Sequence, residues 1–238
     1  MAGTLILATH GIAGGPGAAA AHARAIRARG GWQEVRVGCL KAAPSLAEAM
    51  TAAPAPVTVV PLLMSAGAIH GAMRRRLCEI APGGGWRLPA PVGASPRLAD
   101  LILARAGELR RRLGWRPRAT ALLLVGHGTP RHAASAAHAL GMAGLLEDRG
   151  FAAVGHALLE ERPFPAEAAE ALPGDRVLAV GLFLDNGPHG DADVRAALSG
   201  VEKPIAYLGA IGADAALVPL ILALADSRSS PRGNDLPM

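Results

Sequence analysis

The feature that most constrains this chain is an internal repeat that spans nearly all of its 238 residues. The segment Leu122–Gly128 resembles Leu5–Gly11, since each is an apolar run that ends in His-Gly. Later matches keep nearly the same spacing: the offset is 117 residues for His10 and His127, and 119 residues for His70 and His189 and for Gly93 and Gly212. Chance similarity would scatter these offsets, so the repeat predicts two halves of common origin.

Each half alternates short apolar runs with longer Ala-rich or amphipathic segments, a pattern that predicts alternating strands and helices. After the opening run, we expect first-half strands at 34–40, 57–64 and 86–92 and helices at 18–28, 45–52, 72–80 and 96–113. This order favours a parallel sheet covered by helices on both faces. The predicted fold class is therefore α/β, with two similar lobes, each a four-stranded parallel sheet flanked by helices.

The boundary between the halves is expected where Gly114 and Pro117 interrupt the pattern. We predict an N-terminal half at residues 1–116, a C-terminal half at 117–226, and a polar tail at 227–238 that frays. Ligands of open α/β sheets bind beyond the carboxyl ends of the strands. A cleft between the two lobes is the predicted location of the site.

Composition excludes several classes of protein. Hydrophobic residues make up 51% of the chain, but the apolar runs reach only about ten residues, half of what a bilayer crossing needs. Aromatic residues are 3% of the chain, which argues against nucleic-acid binding by base stacking. Two cysteines and the absence of a signal-type segment favour a cytoplasmic protein. The net charge of +5 hints at an anionic partner.

The eight histidines divide into two groups. Four of them follow predicted strands in matched positions of the two halves, where metal binding or proton transfer is a better interpretation than a solvated loop residue: His10, His70, His127 and His189. The other four have no repeat partner and are expected to pack or to face solvent: His22, His132, His138 and His156.

The second predicted strand of each half ends in residues of opposite charge. Glu160 follows this strand in the C-terminal half, whereas Lys41 stands at the same position of the N-terminal half, 119 residues earlier. Two imidazoles and a carboxylate suit a divalent cobalt, nickel or iron ion, and an ammonium group repels it. The C-terminal half therefore has the fuller metal-binding set, with Glu160 or its neighbour Glu161 as the carboxylate. Asp191 and Asp193 are expected to cap the following helix.

Three segments of the C-terminal half carry a family resemblance: Gly126–Thr129, Leu159–Phe164 and Leu182–His189. In this order they resemble the class II tetrapyrrole metal chelatases, the sirohydrochlorin cobaltochelatases and ferrochelatases. The segments Leu40–Leu46 and Val59–Gly67 look like the same family's second and third strands, so that the resemblance covers about residues 3–225.

The resemblance implies an enzyme that inserts a divalent metal ion, cobalt or ferrous iron, into sirohydrochlorin or a related acidic tetrapyrrole, in cobalamin or siroheme biosynthesis, and the expected enzyme is a cobaltochelatase. The metal is a substrate, and no organic cofactor or ATP is implied. His127 and His189 would hold the metal and accept pyrrole protons, with Glu160 as third group. His10 and His70 would bind incoming metal or the macrocycle.

A polycarboxylate ring also implies a basic rim, for which Arg74 and Arg75 are the candidates. Two other interpretations stay open. A non-catalytic tetrapyrrole or metal carrier would keep the same fold and ligands without turnover. A phosphate-handling enzyme would use the glycines of 11–17 at a helix N-terminus, although this segment matches no spaced glycine fingerprint and contains no lysine.

Overall fold

The computed structural model describes residues 2–11, 15–130 and 133–227, and within them the chain forms two four-stranded parallel sheets. The first sheet has the order β2-β1-β3-β4 and consists of β1 (Ala2–Thr9), β2 (Trp32–Cys39), β3 (Val57–Pro61) and β4 (Trp86–Arg87). The second has the order β6-β5-β7-β8 and consists of β5 (Thr120–Gly126), β6 (Val154–Leu158), β7 (Arg176–Gly181) and β8 (Ile205–Ala210). The predicted fold class is confirmed.

Within the described residues there are eight α-helices, of which seven connect consecutive strands and the last follows β8. They are α1 (Ala18–Arg29), α2 (Leu46–Met50), α3 (Ala68–Ile80), α4 (Arg97–Arg112), α5 (Ala134–Gly144), α6 (Pro165–Ala171), α7 (Val194–Leu198) and α8 (Val218–Asp226). Helix α2 begins at a capping box, in which the Glu48 amide donates to Ser45 Oγ and the Ser45 amide donates to the Glu48 carboxylate. The Ser-x-x-Glu spacing predicts this cap.

The central strands consist mainly of apolar residues because helices cover both faces of each sheet. Leu5, Ile6 and Leu7 of β1 are fully buried. The run from Ala121 to Val125 of β5 is also fully buried. Strand β4 is much shorter than the predicted 86–92, since Pro89 and Pro91 have no backbone N–H to donate to a neighbouring strand.

The two sheets repeat the same backbone hydrogen bonds at their carboxyl edges. The Lys41 amide donates to the His10 carbonyl over 2.9 Å, and the Glu160 amide donates to the His127 carbonyl over 3.0 Å. Gly93 and Gly212 are also matched. The amide of Gly93 donates to a backbone carbonyl just after β3, and the amide of Gly212 donates to a backbone carbonyl just after β7. The repeat seen in the sequence is therefore also a repeat of backbone geometry.

The chain forms two compact units, and each includes one helix that the repeat assigns to the other half. We call this arrangement the helix exchange. The first unit comprises the residues up to Ser95 and those from Ala215 onward, and the second comprises Pro96–Asp214. In the first unit, the Arg87 guanidinium donates to the Ala225 carbonyl of α8. In the second, Arg105 of α4 pairs with Asp214 over 2.6 Å.

These units differ from the sequence halves 1–116 and 117–226 in the assignment of α4 and α8.

The tail beyond Ser227 lies outside the described residues. None of the described helices has both the length and the apolar character needed to cross a membrane.

Candidate functional site

His127 lies directly after β5, in a turn that requires the glycine that follows it. Gly128 has a φ of +73°, in the left-handed region. A Cβ at this position would stand 2.8 Å from the Leu158 Cβ and 3.0 Å from the Glu161 Cγ. The glycine thus lets the chain pass close to the end of β6, which brings His127 beside the acidic segment 160–161.

His189 begins a π-helical turn, His189–Asp193, and does not lie in an open glycine-rich loop as the sequence suggests. Gly190 fits this turn tightly, because a Cβ there would stand 2.0 Å from the Asp185 carbonyl oxygen. The Tyr207 hydroxyl of β8 donates to the Gly190 carbonyl over 2.5 Å. Burial raises the pKa of Tyr207 well above its usual value, so that the hydroxyl keeps the proton it donates.

The structure brings the two predicted histidines together. Their ring centroids are 4.7 Å apart, and the ring planes meet at 73°. The His127 side chain is 38% exposed and the His189 side chain 60% exposed, so both rings are accessible to a ligand.

Each ring is held through its Nδ1 atom. The His127 Nδ1 lies 2.8 Å from the Gly128 carbonyl oxygen, and the His189 Nδ1 lies 2.7 Å from an Asp193 carboxylate oxygen. Both partners are acceptors, so the proton of a neutral imidazole lies on Nδ1 in each ring. The Nε2 lone pairs are then available to a metal ion, the arrangement found where a second group orients a histidine ligand.

The carboxylates at 160 and 161 have different roles. A Glu160 oxygen lies 3.7 Å from the His127 Nε2 atom, on the side where a metal would bind, and its side chain is 51% exposed. A Glu161 oxygen instead accepts the Thr129 amide proton over 2.7 Å, which holds the turn after His127. The geometry therefore favours Glu160 as the third group of the site.

The three side chains do not enclose an ion by themselves. Among the described residues, no three His, Cys, Asp or Glu side chains are arranged closely enough to hold a metal. A divalent transition metal bound to the histidine pair would take its remaining ligands from another molecule.

The prediction that Asp191 and Asp193 cap the following helix is wrong. Asp193 stands at the N-cap of α7 but makes no capping hydrogen bond with its side chain, which contacts His189. Asp191 pairs with Arg195 over 2.7 Å. The His-x-x-x-Asp spacing, which places both side chains on one face of a helical turn, is the sequence signal that identifies Asp193 as a partner of His189.

The N-terminal counterparts occupy a different environment. His10 follows β1, and His70 lies inside α3, which begins at Ala68 and not at the predicted 72. Burial, and then the Lys41 ammonium, lower the pKa of His10. Burial, and then the Arg74 guanidinium, lower the pKa of His70. Both rings therefore favour the neutral form beside a cation.

The basic residues of α3 differ in exposure. Arg74 is half-buried, whereas Arg75 is exposed. Arg76 is paired with Glu79.

Of the histidines without a repeat partner, His22 is buried in α1 and His132 lies outside the described residues. The other two, His138 and His156, are half-buried with a pKa lowered by burial.

Comparison with known proteins agrees with this fold. The CbiX family model matches the chain twice, over residues 4–109 and 121–227, which also reproduces the internal repeat. A CbiX described as the terminal enzyme for biosynthesis of siroheme in denitrifying bacteria is 30% identical, with 93% of this chain and 96% of that chain covered and a TM-score of 0.72. A search of the curated proteins finds no significant match.

Two further solved structures share the fold. DR2241 from Deinococcus radiodurans, a multi-domain protein with similarity to chelatases, is 24% identical with a TM-score of 0.75; the match covers 98% of this chain and 57% of that one. SirB from Bacillus subtilis, solved with Fe3+, is 16% identical with a TM-score of 0.71 and 94% of both chains covered. Two parallel four-stranded sheets of this kind define the class II chelatase fold. The chain belongs to the CbiX family of these proteins.

Proposed function

We propose that this protein inserts a divalent metal ion into sirohydrochlorin or a related acidic tetrapyrrole. The observation that carries the proposal is the pair of imidazoles 4.7 Å apart, each held through Nδ1 and each presenting Nε2. Membership of the CbiX family supports the same reaction, since a 30% identical CbiX is described as acting in siroheme biosynthesis.

The chemistry follows from the groups present. The Nε2 atoms of His127 and His189 bind the metal through their lone pairs, and the ring nitrogens of the tetrapyrrole replace them by ligand exchange. One divalent ion displaces two pyrrole protons, so the reaction is balanced in charge. Imidazole titrates near neutral pH and suits the proton acceptor, and Glu160 lies 3.7 Å from His127, where it can receive a proton in turn.

The ligand set accepts both cobalt and ferrous iron. Sites made of imidazole and carboxylate bind Co2+ more tightly than Fe2+. We therefore propose cobalt as the metal with the higher intrinsic affinity, and a cobaltochelatase as the more specific function. Competition between the two ions for insertion, measured without oxygen, tests this assignment: preferential formation of the iron product at equal concentrations contradicts it.

The test of the proposed reaction follows the absorption spectrum of metal-free sirohydrochlorin after addition of Co2+ or Fe2+. The wild type should insert metal faster than the protein-free control, and His127→Ala should abolish the enhancement because one of the two imidazole ligands is lost. His10→Ala should reduce the rate less, and Glu160→Gln should slow insertion.

Glu147→Gln is the matched control for Glu160→Gln, since Glu147 is an exposed acid of the same unit, and it should leave the rate unchanged. A wild type that binds the ring and the metal but never exceeds the protein-free rate is a carrier, not a chelatase. Greater loss in His10→Ala than in His127→Ala contradicts the choice of the C-terminal pair.

A further inference from the structure

The two histidine pairs have neighbours of opposite charge. In the second unit, His127 stands beside Glu160 and His189 beside Asp193. The positions 119 residues earlier hold Lys41 and Arg74. Both carboxylates of the C-terminal site are thus replaced by cations in the N-terminal site.

The replacements are equivalent in structure as well as in sequence. The amides of Lys41 and Glu160 make the same hydrogen bond, each to the carbonyl of the histidine that ends the first strand. His70 and Arg74 lie four positions apart in the α-helix α3, and His189 and Asp193 lie four positions apart in the π-helical turn. In each pair the two side chains therefore lie on the same side of the helical turn. We call the four residues His10, Lys41, His70 and Arg74 the basic edge of the first sheet.

Unpaired nitrogens concentrate in the basic edge. Among the described residues, six buried side-chain polar atoms have no hydrogen-bond partner, and three of them belong to these four residues: His10 Nδ1, His70 Nε2 and Arg74 Nε. The Nδ1 atoms of His127 and His189 are both partnered. An unpartnered buried donor is costly, and an acceptor ligand would remove that cost.

We propose that the basic edge binds a carboxylate anion and does not hold a metal ion. Lys41 and Arg74 supply the positive charge, and the neutral imidazoles and the Arg74 Nε–H supply directed donors. The same two cations repel a divalent ion. If the proposed function is correct, the carboxylate is an acid side arm of the tetrapyrrole, and this part of the assignment rests on the proposed function; a free carboxylate is the other source.

The metal part is tested by equilibrium dialysis with Co2+ alone. In the variant His127→Ala/His189→Ala, the histidines of the basic edge are expected to retain no Co2+ at concentrations that saturate the wild type. Adding Lys41→Glu/Arg74→Asp to this variant gives the basic edge the same charges as the C-terminal site. This change should give one bound Co2+ per chain.

The matched control Arg76→Asp/Arg112→Glu makes the same change in net charge at two exposed positions, and it should give no bound Co2+. Co2+ retained by the unmodified basic edge overturns the proposal. Failure of the charge exchange to create a site, in a chain with unchanged circular dichroism, also counts against it.

The anion part is tested with acetate and with metal-free sirohydrochlorin. Acetate should shift the imidazole resonances of His10 and His70 in the wild type but not in Lys41→Gln/Arg74→Gln. The same variant should bind metal-free sirohydrochlorin about tenfold or more weakly, since a hydrogen bond to a charged group contributes about 1.5–3 kcal/mol, while its affinity for Co2+ stays unchanged.

An acetate shift with unchanged tetrapyrrole affinity overturns the side-arm assignment and assigns the basic edge to a free carboxylate. No acetate shift overturns the anion site itself. Neither measurement needs metal insertion, so a failure of the proposed function remains distinguishable from a failure of this proposal.

Discussion

At the scale of single residues, the orientation of two imidazole rings decides what the site can bind. A histidine ligates through whichever nitrogen lacks the proton, and the acceptor beside the other nitrogen makes that choice. For His127 the acceptor is a backbone carbonyl, which no side-chain substitution removes. For His189 it is the Asp193 carboxylate, so that Asp193 is a positioning residue open to direct test.

Replacing Asp193 by alanine should weaken Co2+ binding and slow insertion by about tenfold to a hundredfold, the range for loss of a group that orients a metal ligand. Asp193→Asn should keep most of both, because the amide oxygen still accepts the Nδ1 proton. Binding titration with Co2+ measures the affinity, and the 15N shifts of His189 report its tautomer.

Asp191→Ala is the control, since Asp191 lies in the same turn but pairs with Arg195. A mixed His189 tautomer in Asp193→Ala, but not in Asp193→Asn or Asp191→Ala, is the expected result. An unchanged tautomer in Asp193→Ala would show that the carboxylate acts only on the stability of the turn.

At the scale of elements, the connections at the carboxyl ends of the strands hold the site. The turn at 127–128 brings β5 close to the end of β6, and the π-helical turn His189–Asp193 carries both His189 and Asp193. A π-helical turn sets the spacing of side chains differently from an α-helix and is frequent at functional sites. The Tyr207 hydroxyl holds this turn from outside it, and the Asp185 carbonyl packs closely against Gly190.

Gly190→Ala should destabilise the protein by roughly 1–3 kcal/mol and slow insertion, because the new methyl group would overlap the Asp185 carbonyl and push His189 away. Gly187→Ala is the matched control three residues earlier, where a Cβ meets nothing within 4 Å. Thermal denaturation and insertion rates should both separate the two variants. Equal behaviour would mean that the turn adapts without moving His189.

At the scale of the whole molecule, a duplicated unit has diverged by charge while keeping its strand order. Strand order and edge hydrogen bonds are the same in both sheets. The residues that differ, Lys41 against Glu160 and Arg74 against Asp193, determine the sign of the potential around each histidine pair. At His10 and His70, burial is the larger cause of the lowered pKa, and the neighbouring cations lower it further.

The lowered histidine pKa values predict an acid-sensitive fold. His10, His70, His138 and His156 all have a pKa below the 6.5 of an unfolded chain, so the unfolded state binds more protons as the pH falls through 6.5. The contribution of these four histidines to stability should therefore be constant above about pH 7 and decrease as the pH falls below 6.5.

Melting temperatures measured between pH 7.5 and pH 5.5 test this dependence. The double variant His10→Gln/His70→Gln should show a shallower decrease than the wild type, whatever its stability at pH 7.5, since it lacks two of the four groups. An identical slope in both proteins would contradict the assignment of His10 and His70 as neutral, half-buried groups.

Much of the fold was predictable from the chain because it depends on local pattern and repetition. Alternating apolar runs identified the strands, and Ser45 with Glu48 marked the start of α2. The helix exchange was not predictable, because the sequence places α4 next to the first sheet while its contacts, such as Arg105 with Asp214, lie in the second unit. Chain order indicates which elements are neighbours in sequence, and packing decides which are neighbours in space.

The features of the candidate site can be divided in the same way, into those that the sequence predicts and those that depend on packing. The sequence by itself determined the two-fold repeat, the family, the histidines at the strand ends and the opposite charges at Lys41 and Glu160, since these follow from residue type and spacing. Only the tertiary structure decided that Glu160 and not Glu161 faces His127, that Asp193 holds His189, and that Arg74 stands beside His70. Hydrogen bonds and Coulomb interactions depend on distances of a few ångströms, and these distances are set only by the folded tertiary structure.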